Sequence, residues 1–82
     1  MTIKIIYIFE LKDGDIISSI YSNKENKWLS KINEIYISNL KLKNISYDNN
    51  KWLLYLYDKN LMTYYIKIYL NINDYEKVSI II

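Results

Sequence analysis

The alternation between residues 62 and 72 constrains this chain more than any other feature. Met62, Tyr64, Ile66, Ile68, Leu70 and Ile72 fall at every second position, with Thr63, Tyr65, Lys67, Tyr69 and Asn71 between them. Successive side chains of an extended backbone point to opposite sides, so this period belongs to a strand with one face buried. Residues 52–57, Trp-Leu-Leu-Tyr-Leu-Tyr, supply a second run of bulky side chains, and Asp58-Lys59-Asn60 is the turn-forming cluster that separates the two. The spacing predicts a β-hairpin over 51–72, around which the rest of the chain is arranged.

What must hold that hairpin follows from size. Eighty-two residues and 10.0 kDa make one domain over residues 1–82, near the size at which a single core yields only about 3–5 kcal/mol of net stability. The chain has no cysteine and no histidine, which excludes disulfides and the usual zinc, copper and iron ligand sets. Apolar burial has to carry the fold, and the hydrophobic fraction of 51% supplies it. Arginine, alanine and glutamine are absent while Ile, Asn, Lys and Tyr abound, and those four share A/T-dominated codons. An AT-rich gene therefore accounts for part of the tyrosine content.

Taken in order, residues 2–12 place Ile3, Ile5, Tyr7, Phe9 and Leu11 on one face of a first strand. Asp13-Gly14 follows, with the chain's single glycine where a two-residue type I′ turn needs positive φ. The expected register pairs Lys12 with Asp15, Leu11 with Ile16, Phe9 with Ser18 and Tyr7 with Ile20. A helix over 15–21 is the competing reading, because Ile16, Ile17, Ile20 and Tyr21 also fit helical spacing. Ser22-Asn23-Lys24-Glu25 has the S-x-x-E form of a capping box, and Trp28, Leu29, Ile32, Ile35, Tyr36 and Leu40 recur at three- and four-residue steps. That pattern predicts an amphipathic helix of about four turns ending near Leu40.

A short strand over 42–47, a turn at Asp48-Asn49-Asn50, the hairpin, and a last strand through Val78, Ile80 and Ile82 complete the chain. The last strand is expected opposite Leu70, Ile68 and Ile66. The expected fold class is α+β: an antiparallel sheet in the order β-β-α-β-β-β-β with one helix packed on one face.

Several chemistries are excluded by residue type. Without histidine, cysteine or a Gly-x-Ser-x-Gly setting, nucleophilic and histidine-based acid–base catalysis have no candidates. Asp13-Gly14-Asp15 lacks the further ligands of an EF-hand loop, and one glycine cannot build a phosphate-binding loop or the glycine-containing RNP1 pattern. No enzyme activity, metal or cofactor is expected. The net charge of +2 and pI near 8.7 are too mild for a dedicated phosphate binder, and lysines alternate with carboxylates along the chain.

The informative surface is the second face of the long hairpin. With Met62, Tyr64, Ile66 and Ile68 turned to the helix beside Leu53, Tyr55 and Tyr57, the residues Trp52, Leu54, Leu56, Tyr65, Lys67 and Tyr69 face away. One helix covers one face, and exposed Tyr and Trp offer large area at little cost in side-chain entropy. These six residues are the expected partner-binding set.

The expected function is a small non-enzymatic inhibitor that binds another protein, or a protein–nucleic-acid complex, and acts by occluding its surface. In its profile, a tiny domain without catalytic or metal-binding residues, the chain resembles phage-borne inhibitors of host defence such as anti-CRISPR proteins, and toxin-immunity proteins. That resemblance is of kind and rests on no motif. It implies a protein of the host-cell cytoplasm, in keeping with an amino-terminal apolar run too short for a signal peptide and with no stretch of about 18 apolar residues. The alternative is a single-stranded nucleic-acid-binding domain whose tyrosines stack bases beside Lys67. A homodimer through an exposed edge at residues 78–82 is a further expectation.

Overall fold

The structure, a computed structural model, describes residues 2–58 and 65–82. Part of the predicted strand, residues 62–64, and positions 59–60 of the predicted turn lie outside that range. Nine strands account for nearly all of the regular structure: β1 (Ile3–Tyr7), β2 (Ile16–Ser22), β3 (Lys27–Leu29), β4 (Lys31–Ile32), β5 (Ile35–Tyr36), β6 (Leu40–Asp48), β7 (Lys51–Asp58), β8 (Ile66–Asn71) and β9 (Tyr75–Ile81). A 3₁₀ turn at Ile8–Glu10 is the only helical element among the described residues. The fold is antiparallel β rather than α+β.

The expected helix over 22–40 is replaced by two tight hairpins. Ser22 Oγ does accept the Glu25 N–H, at 3.0 Å, but the contact closes a turn between β2 and β3. Asn26, Asn33, Glu34 and Asn39 then adopt φ of 56°, 50°, 67° and 70°, and left-handed backbone ends a right-handed helix wherever it occurs. Asparagine tolerates that region, and a segment rich in Asn, Ser and β-branched residues has little helix propensity to set against it. Burial reports the same outcome. Ile37, which the helical stripe leaves out, is fully buried, whereas Tyr36, which the stripe includes, is 69% exposed.

Residues 16–22 are strand, and Asp13-Gly14 is a turn with Gly14 at φ 99°. The Asp15 N–H donates to the Lys12 carbonyl at 3.1 Å, and only the second central residue has positive φ, which is type II rather than type I′ geometry. The predicted pairing of the first strand with β2 does not form. The chain leaves β1 through the 3₁₀ turn, and β9 inserts between β1 and β2, pairing Ile6 with Val78 on one side and Ile20 with Val78 on the other. β9 therefore does not meet β8, and as an interior strand it offers no edge for the expected homodimer at 78–82.

The sheet runs β1-β9-β2-β6-β7-β8, with β3 beside β2 and the β4–β5 hairpin apart. The expected turn at 48–50 is present: Asn49 and Asn50, at φ 50° and 62°, close β6 onto β7 as a two-residue turn of the I′ kind. β2 and β6 share the single bridge Ile16 to Lys41. Inward side chains from both halves, Ile6, Ile17, Ile20, Val78 and Ile80 with Leu42, Leu54, Leu56, Ile68 and Leu70, form one core. Each contributes about 1.5–3 kcal/mol by leaving water.

Candidate binding face

The pairing of β7 with β8 decides which side chains are offered to solvent. Leu54 lies opposite Ile68 and Leu56 opposite Ile66, while Leu53 lies opposite Tyr69 and Tyr55 opposite Lys67. The sequence expectation had grouped residues 52, 54 and 56 with 65, 67 and 69, and the observed register parts them. A one-residue difference in register moves a whole row to the other face. Leu54 and Leu56 are completely buried, and Trp52 is half-buried against the core. Tyr65 and Tyr69 stay outside at 53% and 56% exposure, with Lys67 beside them.

Leu53, Tyr55 and Tyr57, which the expectation turns inward, lie on this outer face. The aliphatic row Leu54, Leu56, Ile66, Ile68 and Leu70 against the mixed row of Tyr and Lys was the available signal, because burial favours aligning the more apolar rows.

On β6 the outward positions are Lys41, opposite Tyr57, and Ser46, opposite Leu53. A bulge between Leu42 and Asn44 brings Lys43 and Asn44 together beside Tyr55 and Tyr65 around a hollow. A second hollow lies between Lys51, Leu53, Tyr69, Asp48 and Asn49. Both open onto the same face. Lys67 Nζ sits 5.5 Å above the Tyr55 ring, and Tyr57 meets Tyr65 edge-to-face with centroids 5.8 Å apart. Tyr55, Tyr57 and Tyr69 stand on hydrogen-bonded strands, and Tyr65 directly precedes β8, its ring held against Tyr57.

The charge of the face is one-sided. Lys41, Lys43, Lys51 and Lys67 stand against Asp48 on the sheet, and Asp13 reaches Lys43 from the side at 3.9 Å. In the rest of the chain seven lysines are outnumbered by eight carboxylates, so the basic excess of the molecule resides here.

Elsewhere, the turn after β8 packs beside the β2–β3 turn, and the Asn23 N–H donates to the Asp74 carbonyl at 2.8 Å. Burial, reinforced by Asp74 and Glu25, raises the Tyr75 phenol above its ordinary value. No group of three or more acidic, histidine or cysteine side chains converges among the described residues, and no helix there is long and apolar enough to cross a membrane. The chain matches no family model, no curated protein and no solved structure.

Proposed function

We propose that this chain is a non-enzymatic protein-binding module that inhibits by occlusion, laying the outer face of β6, β7 and β8 over a partner's surface. The observation that supports it is the pair of exposed rings Tyr65 and Tyr69, at 53% and 56% exposure, beside the half-buried Tyr55 and Tyr57 on the outer face of β7 and β8. Tyrosines of this kind bring a large contact area and a polar tip at small entropic cost. Lys41, Lys43, Lys51 and Lys67 bias the choice of partner toward acidic or mixed surfaces. Replacing Tyr65 and Tyr69 together by Ala should abolish capture of the partner from host extract and leave the far-UV circular dichroism unchanged. Undiminished capture would discard the assignment to this face.

A second reading is supported by the interleaving of tyrosine and lysine on that face, which is how sequence-tolerant single-strand platforms combine stacking with phosphate contact. It predicts retention of a single-stranded oligonucleotide on a filter at low salt, with a steep loss as salt rises. No retention at low salt disposes of it.

A further inference from the structure

β1 is one edge of the seven-stranded sheet, hydrogen-bonded to β9 alone. The Ile82 N–H donates to the Thr2 carbonyl at 2.9 Å, which makes Thr2 and Ile82 a hydrogen-bonded pair. Alternation along an antiparallel ladder then gives Lys4 and Ile6 to β9, and it turns the N–H and C=O groups of Ile3, Ile5 and Tyr7 toward the open side. The side chains of those three residues stand on the face away from the core. Ile3 and Ile5 are more than half exposed, and Tyr7 stacks on exposed Phe9 at 5.4 Å. An aliphatic edge with unpaired backbone groups recruits another strand. One of its donors is already engaged: the Tyr7 N–H donates to the Glu10 carboxylate at 3.0 Å.

We propose that the strand received at this edge is β1 of a second copy, antiparallel, with the two-fold axis at Ile5. That register sets Ile5 against Ile5 and Ile3 against Tyr7, so every outward contact is apolar. Lys4 then lies opposite Ile6, whereas an axis at Lys4 would set two ammonium groups face to face. The Tyr7 N–H passes from Glu10 to the Ile3 carbonyl of the second copy. Lys4 of that copy follows Ile3 by one residue, about 3.3 Å along the strand, and meets the carboxylate just released.

Neither Lys4 nor Glu10 has an ion-pair partner among the described residues. Both line a hollow that also holds Lys12 and Asp15, and Glu10 borders in addition the hollow of Ile5, Tyr7 and Lys77, so its carboxylate stands at the open edge between the two faces of β1. By symmetry the Lys4–Glu10 pair forms twice. This charge match, added to the apolar rows, selects a second copy over an unrelated strand.

Sedimentation equilibrium of the full chain, from micromolar to millimolar concentration at low salt, tests the proposal. The mass should rise from 10.0 kDa toward twice that value. Ile5→Lys, at a position turned to solvent, should hold the chain as a monomer, with its melting temperature unchanged at the micromolar concentrations where the parent chain is itself monomeric. Lys4→Glu should weaken association at least tenfold, and Lys4→Glu combined with Glu10→Lys should restore it. A monomer at millimolar concentration, a dimer that survives Ile5→Lys, or a charge swap that fails to restore association would each overturn the proposal.

Discussion

Left-handed backbone is concentrated in asparagine here, and the exception is instructive. Of the six described non-glycine residues with positive φ, five are asparagine and the sixth is Glu34, at φ 67°. Glu34 is the second residue of the two-residue turn that joins Ile32 to Ile35 in the β4–β5 hairpin. A glutamate has no short polar side chain to stabilise that conformation locally, so it bears about 1 kcal/mol or more of strain. Its 3.3 Å ion pair with Lys31 returns little, because the Glu34 side chain is 90% exposed. Glu34→Gly should therefore stabilise the protein by about 0.5–1 kcal/mol, where 1 kcal/mol is worth about 4–8 °C in Tm for a domain of this size. Calorimetry showing an equal or lower Tm would mean that the ion pair, or the chain entropy added by glycine, outweighs the strain. Gly14 is the converse case. At φ 99° a Cβ would meet only Lys41 Cε at 4.0 Å, so any alanine there is disfavoured by backbone conformation and not by a clash.

At the scale of the element, β7 carries two opposed roles on alternate residues. Leu54 is fully buried opposite Ile68, and truncation to Ala should cost about 2–5 kcal/mol in urea unfolding, with loss of side-chain volume as the cause. Tyr69, outside and opposite Leu53, should change stability by about 0.5 kcal/mol or less when replaced by Ala. Comparable losses at the two positions would refute the face assignment. The alternation itself was legible in the sequence, as were the asparagine turn at 49–50 and the strand character of 51–57. The face was not, because two strands of mixed Leu, Ile and Tyr admit neighbouring registers that exchange every side chain between core and solvent. Residues 22–40 misled for a related reason. Hydrophobic steps of three and four arise from a helix and equally from short hairpins whose turns recur at Asn26, Asn33 and Asn39, and polarity alone does not mark which asparagine turns left-handed. Of the six residues expected to face outward, Tyr65, Lys67 and Tyr69 are exposed, Leu54 and Leu56 are buried and Trp52 is half-buried, while Tyr55 and Tyr57, expected to face inward, stand half-buried on the outer face.

For the whole molecule, the decisive element is β9. It lies between β1 and β2, so among the described strands β1 is held in the sheet by β9 alone. Ser19 and Ser79, 60 positions apart, meet at 2.7 Å between their hydroxyl oxygens, and Val78 packs in the same core as Ile6 and Ile20. No local pattern announces such a pairing. Val78, Ile80 and Ile82 alternate in a way that suits β8, the nearest strand in sequence, as well as it suits β1 and β2. The observed choice buries Val78 and Ile80 against two neighbours instead of one, which removes more apolar surface from water than a place at the edge would. Closing so long a loop before its contacts repay the lost entropy slows folding, and a sheet dominated by distant pairings should fold in milliseconds to seconds. The same arrangement makes β9 indispensable. Deleting residues 75–82 leaves β1 without a ladder and β2 with only the short β3 and its single bridge to β6, so the truncated chain should lose its cooperative urea transition altogether, measured by Trp fluorescence. A truncated chain that retained a sharp transition would show that β6, β7 and β8 fold on their own, and β9 would then be an addition to a self-sufficient unit.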